Sequence, residues 1–117
     1  MKKFITFLIL ISSANVMADL KGNLDKDIDE LMVKVIEWRH DIHENPELGN
    51  REFRTSKKIE DHLRSLGIKV ETKIAYTGVV GILEGDLPGP TMALRADMDA
   101  LPVEEKTGLP FASKVRT

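Results

Sequence analysis

The chain has 117 residues and a formal net charge of −2, with 42% apolar and 31% charged residues. That is the size of one domain or part of one, too apolar for a disordered chain and without the basic footprint of a nucleic-acid binder. It holds no cysteine, which excludes a disulfide framework, a zinc finger, an iron–sulfur site and a cysteine nucleophile within these residues.

Lys2 and Lys3 precede an apolar run from Phe4 to Ile11, and Val16-Met17-Ala18 follows. This order predicts a secretory signal cleaved after Ala18, which sends the remainder, residues 19–117, to the periplasm or outside the cell. A membrane anchor is the alternative, but the run falls short of the roughly 20 residues a spanning helix needs. No membrane association is expected after the signal is removed.

An amphipathic helix is predicted over 25–44, with Ile28, Leu31, Met32, Val35, Trp38 and Ile42 on one stripe. Asn23 or Asp25 would cap its start. Asn45-Pro46 ends it, because a proline ring disfavours helical geometry in the residue before it. A second helix is predicted over 52–66, closed by Gly67 in a left-handed cap. Ile68, Val70, Thr72 and Ile74 alternate with Lys69, Glu71 and Lys73, which predicts a strand with one wet face near a sheet edge. Gly78–Leu83 and Thr91–Ala96 are nearly continuous apolar runs that suit strands covered on both faces, with a turn at Asp86–Pro90. The fold class is therefore α/β, the opening portion of a layered domain whose sheet still needs covering on its second face.

The residues with most chemical promise lie at the end of the last apolar run. Asp97 and Asp99 are two apart, so in an extended chain both face one side, at the strand end where open α/β sheets place ligands. They could hold a metal, orient a metal-bound histidine or meet a cationic substrate. The alternative is that they cap the following turn and pair with Arg95. His40 and His43 could share a face of the first helix, but no third ligand lies nearby in sequence to make a zinc site. His43 suits the negative end of the helix dipole instead. His62 reads as solvated surface, and Glu104 and Glu105 as loop charges.

Trp38-Arg39-His40-Asp41-Ile42-His43-Glu44-Asn45-Pro46-Glu47-Leu48-Gly49 resembles the opening motif of bacterial N-acyl-amino-acid amidohydrolases and hippurate hydrolases. These form the amidohydrolase branch of the dinuclear zinc aminoacylase and carboxypeptidase family of metallopeptidases. Glu52 with Thr55, then Tyr76–Val80, Leu94–Pro102 and Val103–Ser113 continue the resemblance in order. It implies a catalytic domain with a mixed sheet between helices, two divalent metals (zinc, manganese or cobalt) and a later inserted domain that makes a homodimer. It implies hydrolysis of the amide bond of an N-acyl amino acid or a related small conjugate by metal-activated water. Asp99 carries over as a carboxylate beside the metal site, and Asp97 more weakly, since wider relatives have histidine there. The family draws its ligands from a later His-Ala-Cys-Gly-His-Asp motif that these 117 residues do not contain. The expectation is a truncated catalytic domain that is inactive alone and binds no metal tightly. The alternative is a non-catalytic exported protein or binding module.

Overall fold

The structure, a computed structural model, describes residues 2–101, 103–113 and 115. Helix α1 spans Lys2–Glu44, helix α2 Phe53–Ser65, strand β1 Lys69–Ile74 and strand β2 Gly78–Ile82. The chain divides into two compact units, residues 1–39 and 40–117.

The first unit is helical. The predicted start near Asn23 or Asp25 is not a boundary, because α1 runs unbroken through both. No proline precedes Pro46, so no residue before it lacks the N–H that a helix interior needs. The predicted stripe is helical in period but open to solvent: Ile28, Leu31, Met32 and Val35 are all exposed. Lys26–Glu30 and Lys34–Glu37 pairs, at 3.6 and 2.8 Å, bridge successive turns. Exposed pairs of this kind are worth a few tenths of a kcal/mol each, about 0.3–0.5. Among the described residues no helix is long and apolar enough to cross a membrane.

The second unit begins with the last turn of α1. Asn45 Nδ2 donates to the Asp41 carbonyl at 3.0 Å, which satisfies one of the acceptors that a helix end leaves open. Proline follows, as expected. The N-terminus of α2 is closed from a distance: Glu47 accepts from the backbone N–H of Arg54 at 3.0 Å and of Thr55 at 2.8 Å. A carboxylate there meets both the free donors and the positive end of the dipole. The C-terminus ends on Gly67 at φ 75. Gly67 N–H donates to Arg64 O and Ile68 N–H to Leu63 O, at 3.0 and 3.1 Å. Those two bonds are a Schellman cap, which needs the left-handed residue that glycine supplies.

Strands β1 and β2 pair antiparallel, Val70 with Gly81 and Thr72 with Val79. Alternation holds from Lys69 to Thr72, with Val70 buried. It fails at Ile74, which is exposed, because an irregularity between Thr72 and Ile74 shifts the register and puts Lys73 at φ 61. The hairpin turn is tight. A Cβ on Gly78 would lie 2.5 Å from the Ile74 carbonyl oxygen, so glycine is required by space alone. One on Gly81 would meet Leu63 Cδ1 at 3.1 Å and Ile68 Cγ2 at 3.3 Å, which locates the packing of α2 on β2. A buried polar bond completes the unit: Thr77 Oγ1 donates to Glu52 Oε2 at 2.5 Å.

The predicted third strand is absent. Residues 91–96 have no regular structure, and Met92 and Leu94 are 85% and 96% exposed. A strand satisfies its backbone through a neighbour, and among the described residues the only ladder is β1 with β2. The sheet described here is a two-stranded antiparallel hairpin against a helix, consistent with the expected incomplete opening portion of a layered α/β domain.

Candidate functional site

Asp97 lies in the unpaired stretch and is bonded to Arg95, Nη2 to Oδ1 at 2.9 Å, with both side chains open to solvent. Its neighbour two residues on is better anchored. Ala100 N–H donates to the Glu47 carbonyl at 2.8 Å. This lays the segment along the Pro46–Gly49 loop, where a Cβ on Gly49 would stand 3.8 Å from Asp99 Oδ2. The two carboxylates sit in different settings, one on a solvated arginine and one beside a loop. The pairing of Asp97 with Arg95 matches the non-functional alternative for that residue.

The histidines are occupied elsewhere. His43 Nε2 is 2.8 Å from Glu105 Oε2. The His40 ring stacks on Phe111 with centroids 3.7 Å apart and planes 8° from parallel. Phe111 also meets His43 edge-on at 5.9 Å. His43 does lie in the last turn of α1, as its predicted helix-end role requires. The terminal carbonyl of Asp41, however, is satisfied by Asn45. His62 is half-buried on α2 rather than open surface.

Glu105 is the residue that pattern reasoning missed. Its carboxylate accepts from Thr107 Oγ1 at 2.5 Å and from the Ser113 N–H at 2.7 Å, besides facing His43. The Thr107 hydroxyl, then the Ser113 amide and His43, hold its carboxyl at about 2, well below the usual range. Its nearness to Thr107 in sequence was a readable hint; His43, 62 residues away, was not.

Other carboxylates of the motif are structural. Asp41 pairs with Lys58 and with Arg54 Nη2. The Lys58 bond, aided by Arg54, lowers its carboxyl against a smaller opposing effect of burial. The Thr77 hydroxyl and backbone donors around it lower Glu52. Both are held as anions by partners already in place.

Among the described residues no three His, Cys, Asp or Glu side chains converge as a set that could hold a metal ion. A catalytic zinc needs about three protein ligands with a position left open. A groove of about 530 Å³ does open between the α1 end and the segment after Asp99, lined by His43, Pro46, Leu101, Val103, Glu105 and Thr107 among others.

No family model matches the chain. Individual proteins do. It is 50% identical over 99 residues to thermostable carboxypeptidase 2 of Saccharolobus solfataricus, covering 84% of this chain and 25% of that protein. Identity is 46% over 92 residues to the hippurate hydrolase of Campylobacter jejuni, covering 79% and 24%. It is 44% over 88 residues to the N-acetyl-L-cysteine deacetylase of Bacillus subtilis, covering 75% and 21%. Among solved structures, a dinuclear metal-binding peptidase of the M20 family from Bacillus subtilis superposes with a TM-score of 0.69 at 43% identity, over 75% of this chain and 25% of that one. The chain thus spans about a quarter of the length of the relatives it matches.

Proposed function

We propose that this chain, a counterpart in sequence and fold of the N-terminal quarter of the M20 amidohydrolases and carboxypeptidases, supplies the opening framework of an exported metal-dependent amidohydrolase. Its substrates are N-acyl amino acids or similar small conjugates. Hippurate and N-acetylcysteine, named by two relatives, are both of that class. The observation that carries the reading is the 43% identity and 0.69 TM-score to a dinuclear metal-binding peptidase. Two metals, zinc by preference, and a homodimer belong to the complete enzyme in this reading.

Within such an enzyme Asp99 is the residue of this chain set closest to the chemistry. A carboxylate that orients a metal ligand typically contributes about 10- to 100-fold in metal affinity or activity, so Asp99→Ala lowers activity by that order. Asp97→Asn, at a residue already paired with Arg95, has the milder effect. Unchanged kinetics and metal content in Asp99→Ala would return that residue to a structural role.

Residues 1–18 act as an export signal in this reading. N-terminal sequencing of exported material then begins at Asp19, whereas a cytosolic protein beginning at Met1 would contradict it.

In this reading the 117 residues alone are inactive; the observation in support is that the described side chains gather no set of three metal-ligating groups. An assay on N-acetyl and N-benzoyl amino acids with added zinc, manganese or cobalt tests this. No turnover is expected; a rate of about 1 per second or more, in the ordinary enzyme range, would overturn it. A His-Ala-Cys-Gly-His-Asp string encoded beyond Thr117 supports the amidohydrolase. Its absence favours the alternative of a non-catalytic exported module.

A further inference from the structure

We propose that Glu105 is a positioning residue: with His43 it latches the segment following Asp99 onto the last turn of α1, and so fixes where the Asp99 carboxylate stands. The inference rests on the reading of Asp99 as a site residue.

Three donors converge on one carboxylate that is only 12% exposed. Thr107 Oγ1 and the Ser113 N–H come from its own segment and fold 105–113 around it. His43 comes from α1. Phe111, carried within that loop, lies flat on His40, so the loop is pinned at two points three residues apart on the helix. Upstream, Ala100 is tied by its N–H to the Glu47 carbonyl. Glu47 is in turn fixed by its own side chain to the start of α2. The stretch between Ala100 and Glu105 is therefore held at both ends, and Asp99 enters it beside Gly49. An ionised carboxylate suits the task because it accepts at both oxygens and donates at neither. Glutamine at this position keeps one accepting oxygen and turns an NH2 toward a donor. Site residues need placement to within about 0.5 Å by neighbours that are themselves locked, and the Glu105 knot is such a neighbour.

Amide hydrogen exchange on the full 117-residue chain tests the latch without reference to any hydrolysis. In Glu105→Ala the Ser113 and Ala100 amides are expected to exchange about tenfold faster or more, since exchange reads local opening. The Gly67 and Ile68 amides, bonded within the α2 cap, stay as they were. Glu105→Gln, with one acceptor left, falls between, and carries the same test should the alanine variant unfold. Ala100 exchanging at its original rate while Ser113 is released would overturn the proposal, leaving Glu105 to shape only its own loop. Acceleration at Ala100, Gly67 and Ile68 together in both variants would also overturn it, as the mark of a general stability residue. These exchange rates do not depend on the outcome of the amide-hydrolysis assay, so the latch and the proposed function fail separately.

Discussion

Two mostly apolar runs in this chain, 78–83 and 91–96, are unlike in structure. The first becomes β2, laddered to β1 and packed beneath Leu63 and Ile68 of the α2 end. The second has no ladder, and its Leu94 side chain is 96% exposed. Both runs are mostly apolar, but β-branched Val79, Val80 and Ile82 lie in the first and only Thr91 in the second, so residue type already favours the first as a strand. The larger difference is a partner strand, since β structure reflects cross-strand and same-face neighbours more than an intrinsic backbone preference. An exposed apolar stretch with open backbone groups is also an aggregation liability, which predicts poor solubility for the isolated chain.

The contrast can be broken most forcefully at the hairpin. Gly78→Val puts a side chain where a Cβ already lies 2.5 Å from the Ile74 carbonyl oxygen. The backbone must move, and the expected cost is at the upper end of the about 1–3 kcal/mol typical of overpacking. A urea melt would show it, and an unchanged midpoint would mean the turn is looser than described. Glu47→Ala removes two bonds from the α2 N-terminus and should cost about 1 kcal/mol, as other lost helix caps do. The Ala100 bond to the Glu47 carbonyl survives that change, so the loss should be confined to α2. At the other extreme, Leu94→Ala should stay within about 0.5 kcal/mol, as for a surface site. A loss of about 2–5 kcal/mol, the cost of emptying a core position, would show that 91–96 is packed in solution and the comparison is wrong.

Acid sharpens the same picture in the loop. The Glu105 carboxyl sits at about 2 in the folded chain against an ordinary 4.5. A depressed value means that its contribution is complete above about 4.5 and is lost as pH falls through about 2. Protection of the Ser113 amide, measured against its intrinsic exchange rate (which itself slows in acid), should therefore persist at pH 5 and be lost near pH 2. Its loss already at pH 5 would place the bond elsewhere.

Local rules read much of this fold correctly. Pro46 ended α1, Gly67 capped α2, and the alternation of Lys69–Thr72 found β1. Each is decided within a few residues, where sterics and hydrogen bonding act directly. The start of α1 was misplaced because Asn23 and Asp25 are good caps that nothing obliges the chain to use. The register shift at Lys73 is set by the tight turn between Ile74 and Gly78, which alternation alone does not reveal, and strand pairing of 91–96 is not decided by its own residues. The candidate site divides the same way. Asp97 with Arg95 was legible at a spacing of two. Glu105 with His43 was not, because nothing local marks a contact across so much sequence. What the family resemblance added was the order of motifs, and in this chain Glu47, Glu52 and Asp41 of those motifs are framework residues.

The central proposal is that these residues correspond to the N-terminal framework of the M20 amidohydrolases and peptidases they resemble, and that the described side chains do not themselves gather a metal-binding set. Titration of the purified 117-residue chain with zinc, followed by calorimetry, tests it most directly. The account predicts no binding tighter than about micromolar, because the three or so ligands that a catalytic zinc requires are not brought together. Stoichiometric, tight binding of one or two zinc ions would contradict it.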